Sequence, residues 1–164
     1  MSLSEGLLNE FSHESRQTRK LLERVPEQHF GWKPHDKSMT LGRLASHIAE
    51  TSRWGTAIIC QDEFVIDKTQ KAFDAASLEE VLEQFDAFSA DFTKALTGQT
   101  DAHLMTTWRL KAGGKTVIEM PRAAVLRTMV FNHAYHHRGQ LTVYLRMHNV
   151  LLPSLYGPSA DEPA

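Results

Sequence analysis

Apolar residues recur at intervals of three and four along four stretches of the chain, and each stretch carries helix punctuation at its ends. Leu7, Leu8, Phe11, Leu21, Leu22 and Val25 predict a helix over Leu3–Val25, with Ser2 or Ser4 as its cap and Pro26 as its stop. A second helix runs from Leu41 to about Ile59, behind a cap at Ser38 or Thr40. Its apolar face is Leu41, Leu44, Ala45, Ile48, Gly55 and Ile58. Ser77 and Glu80 form an S-x-x-E capping box before a third helix, Leu78 to about Leu96, whose Val81, Leu82, Phe85, Phe88 and Phe92 read as core. Pro121 suits the first turn of a fourth helix that continues to Met147, where Asn149 and Pro153 end it.

The connections differ in kind. GWKPHDKSM is loop chemistry, with Trp32 expected over an end of the bundle, and QDEFVIDKTQKAFDAAS reads as a polar, irregular segment. TTWRL and KTVIEM are strand-like runs around Ala112-Gly113-Gly114. They predict a small hairpin or extended excursion that must pack on the helices to be stable. The tail LLPSLYGPSADEPA holds too much proline, serine and glycine for regular structure. The expected fold is all-α: a single domain over 1–164, built as a four-helix bundle with an excursion before the last helix.

Composition narrows the function classes. A chain of 164 residues buries about two thirds of its extended surface, so no disulfide or metal is required merely to hold it folded. The formal charge of -2 supplies no electrostatic case for nucleic acid. Cys60 is the single cysteine, which excludes a disulfide framework and a multi-cysteine zinc site; it reads as a small buried hydrophobe. With no basic-then-apolar leader and no run of 18 apolar residues, the expectation is a cytoplasmic protein without a membrane span.

The candidate chemistry lies in PRAAVLRTMVFNHAYHHRGQLTVYLRM, residues 121–147. At roughly 100° per residue from Val125, an apolar sector of about 40° to 160° holds Met129, Val130, Leu141, Tyr144 and Met147, together with Gln140. His133 and His137 fall mid-sector, near 80° and 120°, and their i, i+4 spacing lets two imidazoles share one metal ion. His136 falls at the sector's edge, while Arg127 and Arg138 fall near 200° to 220°, facing water or another surface. The third ligand must come from another helix, and His47, on the flank of the second, leads. The same position also suits a half-buried histidine bonded to Glu50. His13 reads as solvated, His29 and His35 as loop histidines, and His103 and His148 as remote.

Three neutral imidazoles leave coordination positions for water or substrate, as catalytic sites do. Nickel, zinc and iron(II) all accept imidazole, so ligand type does not choose among them. Glu50, Asn132, Gln140 and Tyr156 are candidates for orienting the ligands or touching a substrate. Each has an ordinary alternative: Glu50 bonds a helical neighbour, Gln140 is a satisfied core amide, Tyr156 anchors the tail.

Three stretches together resemble the DinB family: T-L-G-R-L-A-S-H-I-A-E around His47, N-H-A-Y-H-H-R-G-Q around His133 and His137, and P-S-L-Y-G-P-S-A-D-E in the tail. These damage-inducible proteins belong to a wider group of DinB-like and YfiT-like metalloproteins. The resemblance implies an up-down-down-up four-helix bundle, often a homodimer, with one divalent metal on three histidines, matched here to His47, His133 and His137. Some relatives activate a low-molecular-weight thiol for transfer or isomerisation. The resulting expectation is a metal-dependent enzyme acting on a small-molecule substrate, by thiol S-transfer or hydrolysis. The alternative is a non-enzymatic stress-response protein whose metal stabilises the bundle or dimer.

Overall fold

Helix starts fall where the capping residues predict them, in a computed structural model that describes residues 1–67, 69 and 71–163. Helix α1, Leu3–Leu22, opens on a reciprocal capping box between Ser2 and Glu5. Helix α2, Leu41–Cys60, is capped by Thr40, whose Oγ1 accepts from the Arg43 amide at 3.2 Å. Helix α3, Leu78–Leu96, takes its cap from Ser77, while the Glu80 carboxylate reaches the amide of Ala76 rather than that of Ser77. The first helix stops at Leu22, three residues short of the expected end, yet Val25 remains in the core at 2% exposure.

A short helix α4, Asp101–Leu104, leads into strands β2, Thr107–Ala112, and β3, Lys115–Pro121. Gly113 and Gly114 turn this antiparallel pair at φ of 55° and 76°, a region that glycine enters without steric cost. The all-α expectation gives way at one point. Strand β1, Glu63–Ile66, forms inside the segment read as irregular and pairs in parallel with β2, Glu63 opposite Arg109, making a three-stranded sheet. Four residues whose partner lies more than forty positions away carry too little local signal to announce a strand. The protein is thus mostly helical, with a small sheet.

The last helical stretch is not continuous α-helix. Helix α5, Arg122–Leu126, passes into a π-helical segment, Arg127–Asn132, before helix α6, His133–Met147. Arg122, 3% exposed, donates to the carbonyls of Ile58 and Gln61 and to the carboxylate of Asp62, satisfying the C-terminal end of α2 from the start of α5.

The buried apolar residues form two clusters. Leu21, Leu22, Leu44, Ile48, Phe85, Leu141 and Leu145 form one; Ile58, Phe92, Leu96, Trp108, Val125 and Phe131 form the other. Helices α2 and α3 approach closely at Gly55, where an added Cβ would lie 2.5 Å from the Phe92 ring. Trp32 covers an end of the helices as expected, edge-on to Tyr144 at 5.5 Å. Among the described residues, no helix is long and apolar enough to cross a membrane.

Candidate metal centre

His47 projects from the second turn of α2, and His133 and His137 project from the first two turns of α6. Their ligand atoms lie within 4.8 Å of one another, and their ring centroids are 4.5 to 4.9 Å apart, all three pairs edge-on. Two of these side chains are partly exposed and His137 is buried, so the cluster sits where the protein interior meets solvent.

The partners of the outer nitrogens fix which inner ones carry lone pairs. His137 Nδ1 lies 2.7 Å from Gln140 Oε1, and His47 Nδ1 lies 3.0 Å from Glu50 Oε1. Both oxygens accept only, so each Nδ1 carries its proton and each Nε2 turns a lone pair inward. His47 Nε2 also faces His133 Nε2 at 2.8 Å, an approach that requires a proton or a cation between the two atoms. Neutral imidazoles held in the Nδ1–H tautomer by a carboxylate and an amide oxygen are what a divalent ion takes as ligands. The donor set therefore fits a metal ion.

Burial and neighbouring charge disfavour the protonated form of His133 and His137. Desolvation pushes His137 down to about 4, with the neighbouring histidines adding to the effect against the Gln140 bond. His133 is lowered as well, first by burial and then by His47 and His136. At Glu50 burial acts to raise the carboxyl, but hydrogen bonds from His47 and Arg43 outweigh it and hold the group below its usual value. Glu50 thus stays ionised at neutral pH beside His47.

Arg43 is the residue that the sequence reasoning missed. Its guanidinium donates to Glu50 Oε1 at 2.8 Å and to the carbonyl of Phe73 at 3.0 Å, tying the loop before α3 to the histidine that Glu50 orients. The signal was available: Arg43, His47 and Glu50 are spaced 4 and 3, along one face of a helix.

Of the four candidate supporting residues, the structure brings Glu50 and Gln140 to the histidines and leaves two elsewhere. Asn132 is exposed on the π-helical segment. Tyr156 is 69% exposed, and its hydroxyl bonds Glu14 and Arg138, which is the tail anchor and not a contact with the cluster.

Other expectations need correction. Arg138, placed outside by the helical projection, is buried at 2%, whereas Met147, placed inside, is 56% exposed. Each i→i+5 turn takes one residue more than an α turn, so positions before and after Arg127–Asn132 do not share one register. Within α6 the buried positions His137, Arg138, Leu141 and Leu145 span roughly 100°, with His137 at one margin and His133 about 40° beyond it. The histidines thus lie at the edge of the buried face, not at its centre. Cys60 is exposed rather than buried, because it ends α2 beside the loop that leads to β1. Arg127 pairs with Glu10 at 2.5 Å. His13 is exposed, and so is His136, whose ring lies edge-on to His137 with centroids 4.9 Å apart; His103 bonds the Ile59 carbonyl at 3.0 Å and His148 stacks on His29 at 4.2 Å, both apart from the cluster as expected.

The DinB family model matches residues 1–164, and the chain belongs to the DinB family. It is 25% identical over 163 residues to a Bacillus subtilis (strain 168) protein described as uncharacterized protein YrdA, covering 94% of this chain and 89% of that one. A crystal structure of a DinB-like protein from Bacillus cereus matches with a TM-score of 0.70 and 26% identity, over 93% of this chain and 97% of its own. A second DinB-like crystal structure, YjoA from Bacillus subtilis, has a TM-score of 0.68 at 19% identity, over 90% of this chain and 96% of its own.

Proposed function

We propose that this DinB-family chain is a metal-dependent enzyme that acts on a small molecule, with His47, His133 and His137 as ligands of one divalent ion. The observation that carries the reading is the convergence of inward Nε2 lone pairs from two helices, with the outer nitrogens of His47 and His137 already committed to Glu50 and Gln140. A divalent ion held by neutral imidazoles alone keeps its charge and favours the anionic form of a water or thiol beside it. Nickel, zinc and iron(II) remain equal candidates on ligand type. Hydrolysis and transfer of a low-molecular-weight thiol are the two reaction classes this serves.

The chain's own residues supply position and protonation state. Gln140 and Glu50 each accept the Nδ1 proton of one imidazole and so aim its other nitrogen inward. Hydrogen bonds from His47 and then Arg43 keep the Glu50 carboxylate ionised against its burial, and the Arg43 ion pair fixes it, so that this group acts as an acceptor and not as an acid. The histidines' place at the margin of the buried face gives a small molecule a way in.

Protein purified without a histidine tag should carry about one divalent ion per chain. Unchanged metal content in His47→Ala, His133→Ala and His137→Ala would remove the reading. A panel of low-molecular-weight thiols with an electrophile then separates transfer from hydrolysis. Chelation that lowers thermal stability, with no substrate ever turned over, would point instead to a non-enzymatic stress-response protein. The up-down-down-up four-helix arrangement, a single domain over 1–164, a reducing cytoplasmic setting and a homodimer belong to the same proposal. Light scattering that returned the monomer mass would remove the dimer without touching the metal site.

A further inference from the structure

Beside the candidate centre lies a groove of about 290 Å³, whose floor is the stripe His47, Glu50, Trp54 and Ala57 on α2 and whose roof is Phe64 and Ile66 of β1 with Asp67 and Lys71. That volume is near the lower end, about 300 Å³, of sites that take small organic molecules. Its two walls differ in chemistry. Trp54 and Phe64 pack edge-on with centroids 4.9 Å apart, and Ile66 of the roof remains 39% exposed, so one part of the groove offers apolar and aromatic surface to a guest.

The other part carries Arg53 and Lys71 against one carboxylate, Asp67, that has no cationic partner among the described residues, and so is positive on balance. Arg43 is committed to Glu50 at 2.8 Å, and the Asp67 carboxylate accepts from the amide and hydroxyl of Thr69 at 2.8 and 2.6 Å. Arg53 and Lys71 also line the groove, and neither forms an ion pair among the described residues. Arg53 lies 5.8 Å from the centre of the Phe88 ring, a contact that holds a guanidinium in place without cancelling its charge. His47, a ligand of the proposed ion, lies on the floor, which puts one end of any guest next to the reactive position.

From this arrangement we infer that the groove binds the non-reacting part of the substrate, and that this part is an anion on an apolar or aromatic body, as in an aryl or branched-chain carboxylate. The assignment rests on the reading of the centre for its role in a reaction, but the binding itself depends on Arg53, Lys71, Trp54 and Phe64 alone. A charge-assisted hydrogen bond from Arg53 would fix the anion, while the Trp54–Phe64 side would take the body.

The test uses a matched pair of dyes: 1-anilinonaphthalene-8-sulfonate, an aromatic anion, and N-phenyl-1-naphthylamine, the same rings without the charge. Titrated into the full chain, the sulfonate should saturate at one per chain and quench Trp54 by energy transfer. The Arg53→Gln/Lys71→Gln double variant should bind it about tenfold more weakly, the loss of one good charge-assisted contact, with no change for the neutral dye. Raising the salt concentration should weaken only the anion, which gives the same answer without a mutation. Trp54→Phe should remove a share of the energy transfer. Equal binding of the two dyes, salt-independent binding of the sulfonate, or full affinity in the double variant would overturn the assignment. Metal content is measured beside the titrations on wild-type and His133→Ala protein: dye binding with metal content unchanged by the substitution sinks the centre and spares the groove, and metal lost on substitution with no dye binding in the wild type does the reverse.

Discussion

His137 and Arg138 are neighbours on α6, both buried, at 8% and 2% exposure, and they show two opposite uses of a buried polar group. The Arg138 guanidinium is surrounded by partners. It donates to the carbonyl, carboxylate and hydroxyl oxygens of Glu14, Thr18 and Tyr156, and lies over the rings of Tyr135 and Tyr156 at 5.3 and 4.9 Å. Glu14 Oε2 accepts again from the Tyr156 hydroxyl at 2.7 Å, so the tail, α1 and α6 close on one charge. His137 has one partner for its outer nitrogen and turns the inner one to two other imidazoles. A satisfied network has no capacity left for a ligand, whereas converging ring nitrogens have capacity for a shared proton or a cation. The contrast separates a structural knot from a candidate metal centre within two residues.

The largest expected effect breaks the knot. Arg138→Ala leaves the Glu14 carboxylate, 14% exposed, without its cation, and removal of one member of a buried pair costs about 3–5 kcal/mol. Urea unfolding should show that loss with metal content per folded chain unchanged. Chelation should act on the other side of the contrast: an ion present at about a hundred times its dissociation constant stabilises the native state by about 2.7 kcal/mol, and its removal should lower the melting temperature accordingly. His137→Ala should show no such dependence on chelator.

Gln140→Ala sharpens the comparison further, since it frees the His137 Nδ1–H without deleting a ligand. Loss of such an orienting partner should weaken metal binding about 10- to 100-fold, measured by competition with a chromophoric chelator, while urea stability of the metal-free protein moves little. The most gradual effect, and the smallest per unit of the variable changed, is in pH. In metal-free protein the folded value of His137, about 4, lies below its unfolded value of 6.5, so the unfolded chain takes up the proton first. Its contribution to stability is present above pH 6.5 and is lost as pH falls toward 4, by less than about 1.4 kcal/mol per pH unit. In His137→Ala that slope should flatten; Arg138→Met should leave it in place.

Much of the candidate centre was legible because its parts are local. The i, i+4 pair His133 and His137 and the placement of His47 on the flank of a capped helix need only helix geometry, and the structure brings the three imidazoles together. Glu50 and Gln140 stand three residues beyond His47 and His137, within reach on the same helical face. The long reach from α1 to Arg138 was not legible, since a projection of one helix does not show which neighbour brings a carboxylate to it.

The sequence by itself determined the three long helices α1 to α3, narrowed their caps to one or two residues each, placed a hairpin or extended excursion around Gly113 and Gly114, and set a last helical stretch bearing two histidines in register. These follow from hydrogen bonds and spacings within a few residues. Only the tertiary structure decided the π-helical segment, the burial of Arg138 in place of Met147, and the pairing of β1 with β2. Each depends on contacts between segments far apart in the chain, and the free energy of such contacts overrides local periodicity.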